Sequence, residues 1–363
     1  MRLFLLFCVI AAGRAEQSAA DKLIEAGHWK RARNIVETRL GEAPRDALAS
    51  FLLSQIRGAF GDRAAPLALA EKAVALDGHT AKYHRQVAEV LGVTAQHAGP
   101  FQVFLLGRRF RKELDSALAL DPRDVQALRD LMEFYLVAPG ITGGDPCKAV
   151  EIAGQIVGID VVEGLLARAR IAEFRKENAA RESLLRQAAE AQPPRYKARI
   201  ALARFYLESG QSNPPAAEVQ AKIAMTLEPD RVDAYTLLAA IFADRGEWSD
   251  LESTLATSQR EVPDDATPHY RAAERLLAAG RDPVRAERYL RVYLSQEPEG
   301  NQPSASEAHC KLGLALAAQG REAAARGEFQ ESLRLDPESK AALELKRLRN
   351  TRPAVESTSG GHL

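Results

Sequence analysis

Apolar residues recur three and four positions apart through most of the chain, and this spacing places them on one stripe of an α-helix. Alanine, leucine, arginine and glutamate dominate, whereas alternating runs of valine, isoleucine and threonine are almost absent. The first set of residues favours helices and the second favours strands. The pattern therefore predicts an all-α protein without sheets.

Prolines recur along the chain, several of them within short acidic motifs such as LDP and EPD. They divide the chain into segments, several of which are about 34 residues long. A period of this length is typical of helix-turn-helix repeats. One helical hairpin cannot bury its apolar stripe alone, so we expect neighbouring hairpins to stack. The dividing positions are Pro44, Pro122, Pro193, Pro229, Pro263, Pro298 and Pro337, with Gly78 standing in once.

Two segments carry a more detailed pattern. The clearest has Gly313 in its first helix, Gly320 at the turn and Phe329 in its second helix, and the other runs from Val232 to Pro263. Both resemble the tetratricopeptide repeat family. The resemblance implies a right-handed superhelical solenoid of about nine helix-turn-helix repeats. It also implies a non-enzymatic scaffold that binds a protein or peptide partner.

The two ends of the chain have different patterns. Arg2, an apolar stretch at 3–12 and small residues at 13 and 15 resemble a cleaved signal peptide, so residues 1–15 predict export, to the periplasm of a bacterium. The apolar stretch is about half the length needed to cross a bilayer. We expect the solenoid and a capping helix to occupy residues 16–350, and residues 351–363 to form a disordered tail.

Charge and composition narrow the class of partner. The chain has 363 residues, and its 49 lysines and arginines balance 49 aspartates and glutamates. No overall field therefore attracts nucleic acid, and the basic run at residues 107–113 is interpreted as a solvated helix face. We expect no nucleic-acid partner.

The sequence predicts no catalytic, cofactor or metal site. It has no H-E-x-x-H and no G-x-S-x-G motif, and Cys147 and Cys310 lie far apart without nearby histidines. We expect all the histidines to be solvated, namely His28, His79, His84, His97, His269, His309 and His362.

The stretch YLVAPGITGGDPCKA, residues 135–149, lacks the preceding strand and the Gly-Lys-Ser/Thr ending of a phosphate-binding loop. We interpret it as an enlarged loop between two helices, in which Gly143 and Gly144 can adopt positive φ, Asp145 caps a helix and Pro146 begins it. It resembles the APGIxGG loop of exported bacterial tetratricopeptide proteins, some related to a component of TRAP-type transporters. That likeness implies an alternative function, a small-ligand carrier that works with membrane transporter subunits.

A second insertion, containing HAGPFQVFLLG, separates Leu91 from Phe110. Both insertions fall on the same edge of the expected repeats, and their apolar residues form either a partner-binding edge or internal packing. The candidate residues are Phe101, Phe104, Leu105, Pro139 and Ile141.

Four arginines are candidates for the concave face, where some tetratricopeptide domains hold C-terminal carboxylates. Each has a glutamate three or four residues later, so its charge is expected to be neutralised on its own helix and acidic peptides are not expected to bind. The pairs are Arg85 with Glu89, Arg129 with Glu133, Arg170 with Glu173 and Arg204 with Glu208.

Overall fold

The structure is a computed structural model that describes residues 19–208, 210 and 212–350. These residues form helices joined by turns and loops, and they contain no strand. The prediction of an all-α fold is confirmed. The expected signal peptide and the expected disordered tail both lie outside the described residues.

The chain forms two compact units, one ending at Arg231 and the other beginning at Val232. The helices of the first unit are α1 (19–26), α2 (Trp29–Glu42), α3 (Ala47–Ala59), α4 (Ala65–Leu76), α5 (Ala81–Ala95), α6 (Pro100–Leu120), α7 (Val125–Val137), α8 (Pro146–Ile159), α9 (Val161–Phe174), α10 (Asn178–Glu190), α11 (Tyr196–Leu207) and α12 (Pro214–Leu227). Those of the second are α13 (Val232–Arg245), α14 (Trp248–Glu261), α15 (Thr267–Ala278), α16 (Pro283–Leu294), α17 (Ala305–Ala318), α18 (Glu322–Leu335) and α19 (Ala341–Asn350).

Consecutive helices pack in pairs, as the repeat pattern predicts. In the first unit α3 packs on α4 and α5 on α6, and in the second α15 packs on α16 and α17 on α18. The helices bury apolar stripes, such as Leu312 and Leu316 on α17, and Phe329 on α18 is buried beside Gly313. The chain is thus an array of helical repeats. Their number, the superhelical handedness and the single solenoid over 16–350 stay predictions.

Glycines occupy the turn and the close crossing where the repeat pattern places them. Gly320 has a φ of +73°, a conformation that side chains other than glycine rarely adopt. A Cβ on Gly313 would lie 2.4 Å from the Cε1 atom of Phe329. α17 and α18 can therefore approach this closely only because Gly313 has no side chain.

The glycine-rich stretch is an enlarged loop between α7 and α8, as expected. The Oδ1 atom of Asp145 accepts hydrogen bonds from the backbone N–H groups of Cys147 at 3.0 Å and Lys148 at 3.3 Å. Gly143 has a φ of +101°, but Gly144 does not have positive φ. Gly144 is required for a different reason, because a Cβ there would lie 1.8 Å from the carbonyl oxygen of Ala138.

The insertion before Phe110 is mainly helix rather than loop. α6 begins at Pro100, so only residues 96–99 connect it to α5. Proline is well tolerated at the first position of a helix, where its missing N–H would have no helical partner. The inserted residues therefore lengthen α6 to 21 residues, against 14 for α18.

Candidate functional site

A concave groove of about 390 Å³ lies where α5, α6, α7 and the turn after α7 meet. This volume is within the range of pockets that bind small molecules or side chains. Most of its lining is apolar, and the polar exceptions are mainly carboxylates. Its apolar and glycine lining includes Leu91, Gly92, Val93, Val103, Leu106, Gly107, Phe110, Phe134, Val137 and Pro139.

Two aromatic rings and two glycines shape the groove. The rings of Phe110 and Phe134 stack with their centroids 5.5 Å apart. A Cβ on Gly92 would lie 3.3 Å from the ring of Phe110, and one on Gly107 would lie 4.0 Å from the ring of Phe134. The space beside the rings stays open because neither glycine projects a side chain into it.

The lengthened part of α6 supplies one side of the groove. Val103, Leu106 and Phe110 follow helical spacing, so they share one face of α6. Leu106 and Phe110 are partly buried and pack against the cluster that contains Leu91. This face anchors α6 to α5 near Leu91, and towards its N-terminus it lines the groove.

Three carboxylates line the groove, and two of them have a cation. Glu133 forms an ion pair with Arg170, with Oε1 and Nη2 2.6 Å apart. Glu89 lies 3.7 Å from Nη1 of Arg85. Asp130, the third, has no ion pair within 4 Å among the described residues.

The Asp130 carboxylate is poorly satisfied where it lies. Its Oδ1 atom accepts one hydrogen bond from the side-chain amide of Gln126 at 3.0 Å. Its Oδ2 atom is buried and accepts no hydrogen bond from the described part of the chain. Burial raises the pKa of Asp130 to about 6, although the nearby charge of Arg85 opposes this shift. A charged carboxylate here is therefore energetically costly.

Of the five residues predicted to form a partner-binding edge, only Pro139 lines the groove. Phe101 is 76% exposed and Ile141 is 88% exposed, while Phe104 and Leu105 are exposed on α6 beside its groove-lining face. α6 is therefore apolar on two faces. Sequence reasoning missed the lining face, although the helical spacing of Val103, Leu106 and Phe110 could have revealed it.

The candidate arginines are paired, in part as expected. Arg85 lies 3.7 Å from Glu89, and Arg170 lies 3.3 Å from Glu173. Arg170 also binds Glu133 of α7, so its charge is shared between two helices. These two pairings confirm the predicted partners.

Residues of the other two expected pairs, Arg129 and Glu208, form contacts between helices. Arg129 binds Glu163 of α9 at 3.2 Å. Glu208 accepts from Arg181 of α10 at 2.5 Å, and Arg204 also has an interaction partner. The arginines thus link successive helix pairs. This arrangement depends on tertiary packing and was not evident from spacing along one helix.

The histidines are not all solvated, which corrects the prediction. His28 and His269 are buried. The ring of His269 packs edge-on against Tyr289 of α16, with centroids 5.8 Å apart, and burial lowers the pKa of His269 to about 4. His84 lies 2.8 Å from Glu113, which connects α5 to α6.

Within residues 19–208, 210 and 212–350, no group of three or more histidine, cysteine, aspartate or glutamate side chains could hold a metal ion. Cys147 is exposed at the start of α8, and Cys310 is partly buried in α17; both are free thiols. No helix in the described part of the chain is long and apolar enough to cross a membrane.

No protein-family model and no curated protein sequence matches the chain. Solved structures resemble its fold. Yeast Tom70 is 14% identical over 94% of this chain and 88% of its own, with a TM-score of 0.49. TTC0263, a thermophilic TPR protein of Thermus thermophilus, is 17% identical over 61% of this chain and 94% of its own, with a TM-score of 0.35. PilW, a type IV pilus biogenesis factor, is 16% identical over 59% and 92%, with a TM-score of 0.36. Identities this low leave the function to be decided by this chain's own residues.

Proposed function

We propose that the protein is a non-enzymatic scaffold for a protein or peptide partner, and that the groove formed by α5, α6 and α7 receives apolar side chains of that partner. The observation that supports this proposal is the groove itself, about 390 Å³ of space with a largely apolar lining. A concave apolar site with a few polar groups is the usual form of a binding site.

The size of the groove limits what it can contribute to binding. Burying one large apolar side chain contributes about 1.5 to 3 kcal/mol, whereas micromolar affinity requires about 8 kcal/mol. One or two seated side chains are therefore insufficient. We expect the partner to extend over the rim of the groove, where Val93 and Val137 are each 53% exposed.

Gly107→Leu provides the test, because the new side chain would project from α6 into the groove beside Phe134. Gly154→Leu is the matched control, since Gly154 is an exposed helical glycine on α8 with no atom near its Cβ position. A phage library of random peptides would be selected on the full chain. Each selected peptide would then be measured against both variants.

We expect the selected peptides to be rich in apolar residues and to lose binding to the Gly107→Leu variant. Binding to the Gly154→Leu variant should equal that of the wild type. Peptides that bind both variants equally well would place the partner site elsewhere and contradict the proposal.

A small-ligand carrier is the second candidate, because the volume of the groove also suits a small molecule. Native mass spectrometry of the protein purified from its source would distinguish the two functions. A bound small molecule that is present in the wild type and absent from the Gly107→Leu variant would favour the carrier. Co-purification with TRAP-type membrane subunits would connect that carrier to transport.

Export is also part of the proposal, and it rests on the pattern of residues 1–15, which lie outside the described residues. We expect the mature chain to begin at Glu16. The intact mass of the protein recovered from the periplasm tests this, and a lipid-modified Cys8 would contradict it.

A further inference from the structure

We propose that the groove selects a partner segment in which a lysine or arginine lies beside the apolar side chains, and that Asp130 is the residue that makes this selection. The inference rests on the proposed function, because it assigns a charge preference to the same groove. Glu89, Asp130 and Glu133 form what we call the carboxylate wall of the groove. The inference follows from three features of this wall: its charge, the incomplete hydrogen bonding of Asp130 and the apolar residues around it.

The first feature is that the wall contains three carboxylates and that the nearby cations are already engaged. Arg170 lies between Glu133 and Glu173. Arg85 lies between Glu89 at 3.7 Å and Asp124 at 3.6 Å.

Arg129, which neighbours Asp130 on α7, binds Glu163 instead. Asp130 therefore contributes a negative charge that no ion pair neutralises within the described residues. A cation from a partner would meet attraction here.

The second feature is the Oδ2 atom of Asp130, which is buried without a donor. A buried oxygen that lacks a hydrogen bond is unfavourable, and the cost is greater when the group is charged. Gln126 supplies only one neutral hydrogen bond, to Oδ1. A cation in the groove would compensate this carboxylate through charge, and through a hydrogen bond where it reaches the oxygen.

The third feature is that the groove next to Asp130 is lined by Phe110, Phe134 and Leu106. A partner that fills it excludes water and lowers the local dielectric constant, which strengthens any charge interaction there. A purely apolar segment would bury the carboxylate further without compensation. An acidic segment would meet three carboxylates, so a basic side chain flanked by apolar ones fits best.

The test uses the peptides selected on the wild type that lose binding to the Gly107→Leu variant. We expect their sequences to be enriched in lysine or arginine next to apolar residues. For one such peptide, the version with glutamine in place of the basic residue would be compared by fluorescence polarisation. The proteins would be the wild type, Asp130→Asn and Glu151→Gln, the last of which removes an exposed charge on α8 outside the groove.

We expect the wild type and the Glu151→Gln variant to bind the basic peptide about tenfold more tightly than its glutamine version, which is the effect of one hydrogen bond to a charged group. The Asp130→Asn variant should bind the two peptides equally. Equal binding of both peptides to the wild type would overturn the inference, as would a preference that survives Asp130→Asn.

The outcomes also separate this inference from the proposed function. Groove-binding peptides without any basic enrichment would overturn the charge preference and leave the groove as the partner site. The absence of any peptide sensitive to Gly107→Leu would overturn both. Circular dichroism of each variant would check that helix content is unchanged.

Discussion

Helix pairs α5–α6 and α17–α18 share one contact, in which a glycine of the first helix faces a phenylalanine of the second. In α17–α18 a Cβ on Gly313 would lie 2.4 Å from the ring of Phe329, and that ring is 1% exposed. In α5–α6 the corresponding distance from Gly92 to Phe110 is 3.3 Å, and Phe110 is only partly buried. The first of these pairs is closed and the second borders a groove.

The difference comes from the lengths of the helices around this contact. Residues 100–109 of α6 precede Phe110, but only residues 93–95 of α5 follow Gly92. The N-terminal part of α6 thus has little of α5 to pack on. Its inner face meets α7 and the turn at Pro139 instead, and the groove occupies the space that remains.

The comparison shows how a repeat can gain a site without losing its core. The residues added to α6 lie beyond the glycine–phenylalanine contact, so this contact still joins the two helices. The repeat supplies stability and the extension supplies the proposed binding surface. Substitutions in the two pairs should therefore have different consequences.

The largest effect is expected for Gly313→Leu in the closed pair. The ring of Phe329 already occupies the position of the new side chain, and its near-complete burial leaves it no room to move. Overpacking of this kind costs about 1 to 3 kcal/mol, and we expect the upper end. Urea denaturation of the second unit measures it.

Gly92→Ala in the open pair is compared with Gly313→Ala in the closed pair, so that the same side chain is added at both contacts. A Cβ at 3.3 Å requires only a small shift of the Phe110 ring, and the groove gives that ring space. We expect a change of less than about 1 kcal/mol. Equal losses for the two variants would show that the pairs are packed alike and would refute the comparison.

Acid should destabilise the second unit through His269, which is buried on α15. Burial lowers its pKa to about 4 from the ordinary 6.5, with a smaller opposing effect of Glu252 and a smaller reinforcing effect of Arg288. Below pH 6.5 the unfolded chain binds a proton that the folded unit does not. The free energy of unfolding should therefore fall by about 3 kcal/mol as the pH drops from 6.5 to 4.

His269→Gln should remove this part of the pH dependence, as measured by urea denaturation at a series of pH values. His79→Gln serves as the control, because His79 is exposed. An unchanged acid response in the His269→Gln variant would assign the effect to other groups.

Asp130, which lies on α7 and lines the groove, should give the first unit the opposite response. Burial raises its pKa from 3.8 to about 6; Glu89 adds to the shift, and Arg85, Gln126 and Arg129 oppose it. Between pH 4 and 6 the folded protein retains a proton that the unfolded chain releases. The stability that Asp130 contributes is therefore present at pH 4 and is lost as the pH rises through 6.

Asp130→Asn should accordingly stabilise the first unit by about 3 kcal/mol at pH 7 and have little effect at pH 4. Denaturation at the two pH values, with Glu151→Gln as the charge control, measures the difference. A loss of stability at pH 7 would mean that Asp130 has a partner that satisfies it. That result would also remove the basis for the charge preference of the groove.

The fold was predictable because its signals are local. Helical spacing, the prolines and the turn glycines act within single hairpins, and Gly313 could be assigned to a helix crossing from the repeat pattern alone. The same logic identified Asp145 and Pro146 as the start of α8. Local chemistry determines these features, and the structure confirms them.

The site was only partly predictable. Gly99 and Pro100 suggest a loop, but proline also begins helices, and Leu106 and Phe110 farther along α6 pack against the cluster that contains Leu91 of α5. Asp130 is a charged residue of α7, and its burial depends on packing against α5 and α6, which the spacing along α7 does not reveal. Of the five predicted edge residues only Pro139 lines the groove, because the exposure of a helix face is decided by its neighbours.

A smaller effect on stability is expected for Gly107→Leu, which places a side chain in the groove beside the open pair. Gly107→Leu replaces a helical glycine with a better helix former, which should stabilise the first unit by about 0.5 to 1 kcal/mol. Gly154→Leu should give a similar gain on α8. A clear loss of stability for Gly107→Leu alone, seen in urea denaturation, would mean that the groove closes in solution and cannot hold a side chain.

A comparably small effect on stability is expected for Phe101→Ser combined with Phe104→Ser, on the other face of α6. Phe101 is 76% exposed and loses little burial, whereas Phe104 is 38% exposed and loses part of its buried area, so the double change should cost about 1 kcal/mol. Arg108 lies 5.9 Å from the ring centre of Phe104, a contact too exposed to add much. Peptides that bind the groove should keep their affinity for this double variant, because neither phenylalanine lines it. A loss of binding with unchanged helix content would instead assign partner recognition to the exposed face, and the extension of α6 would then act through its outer surface rather than through the groove.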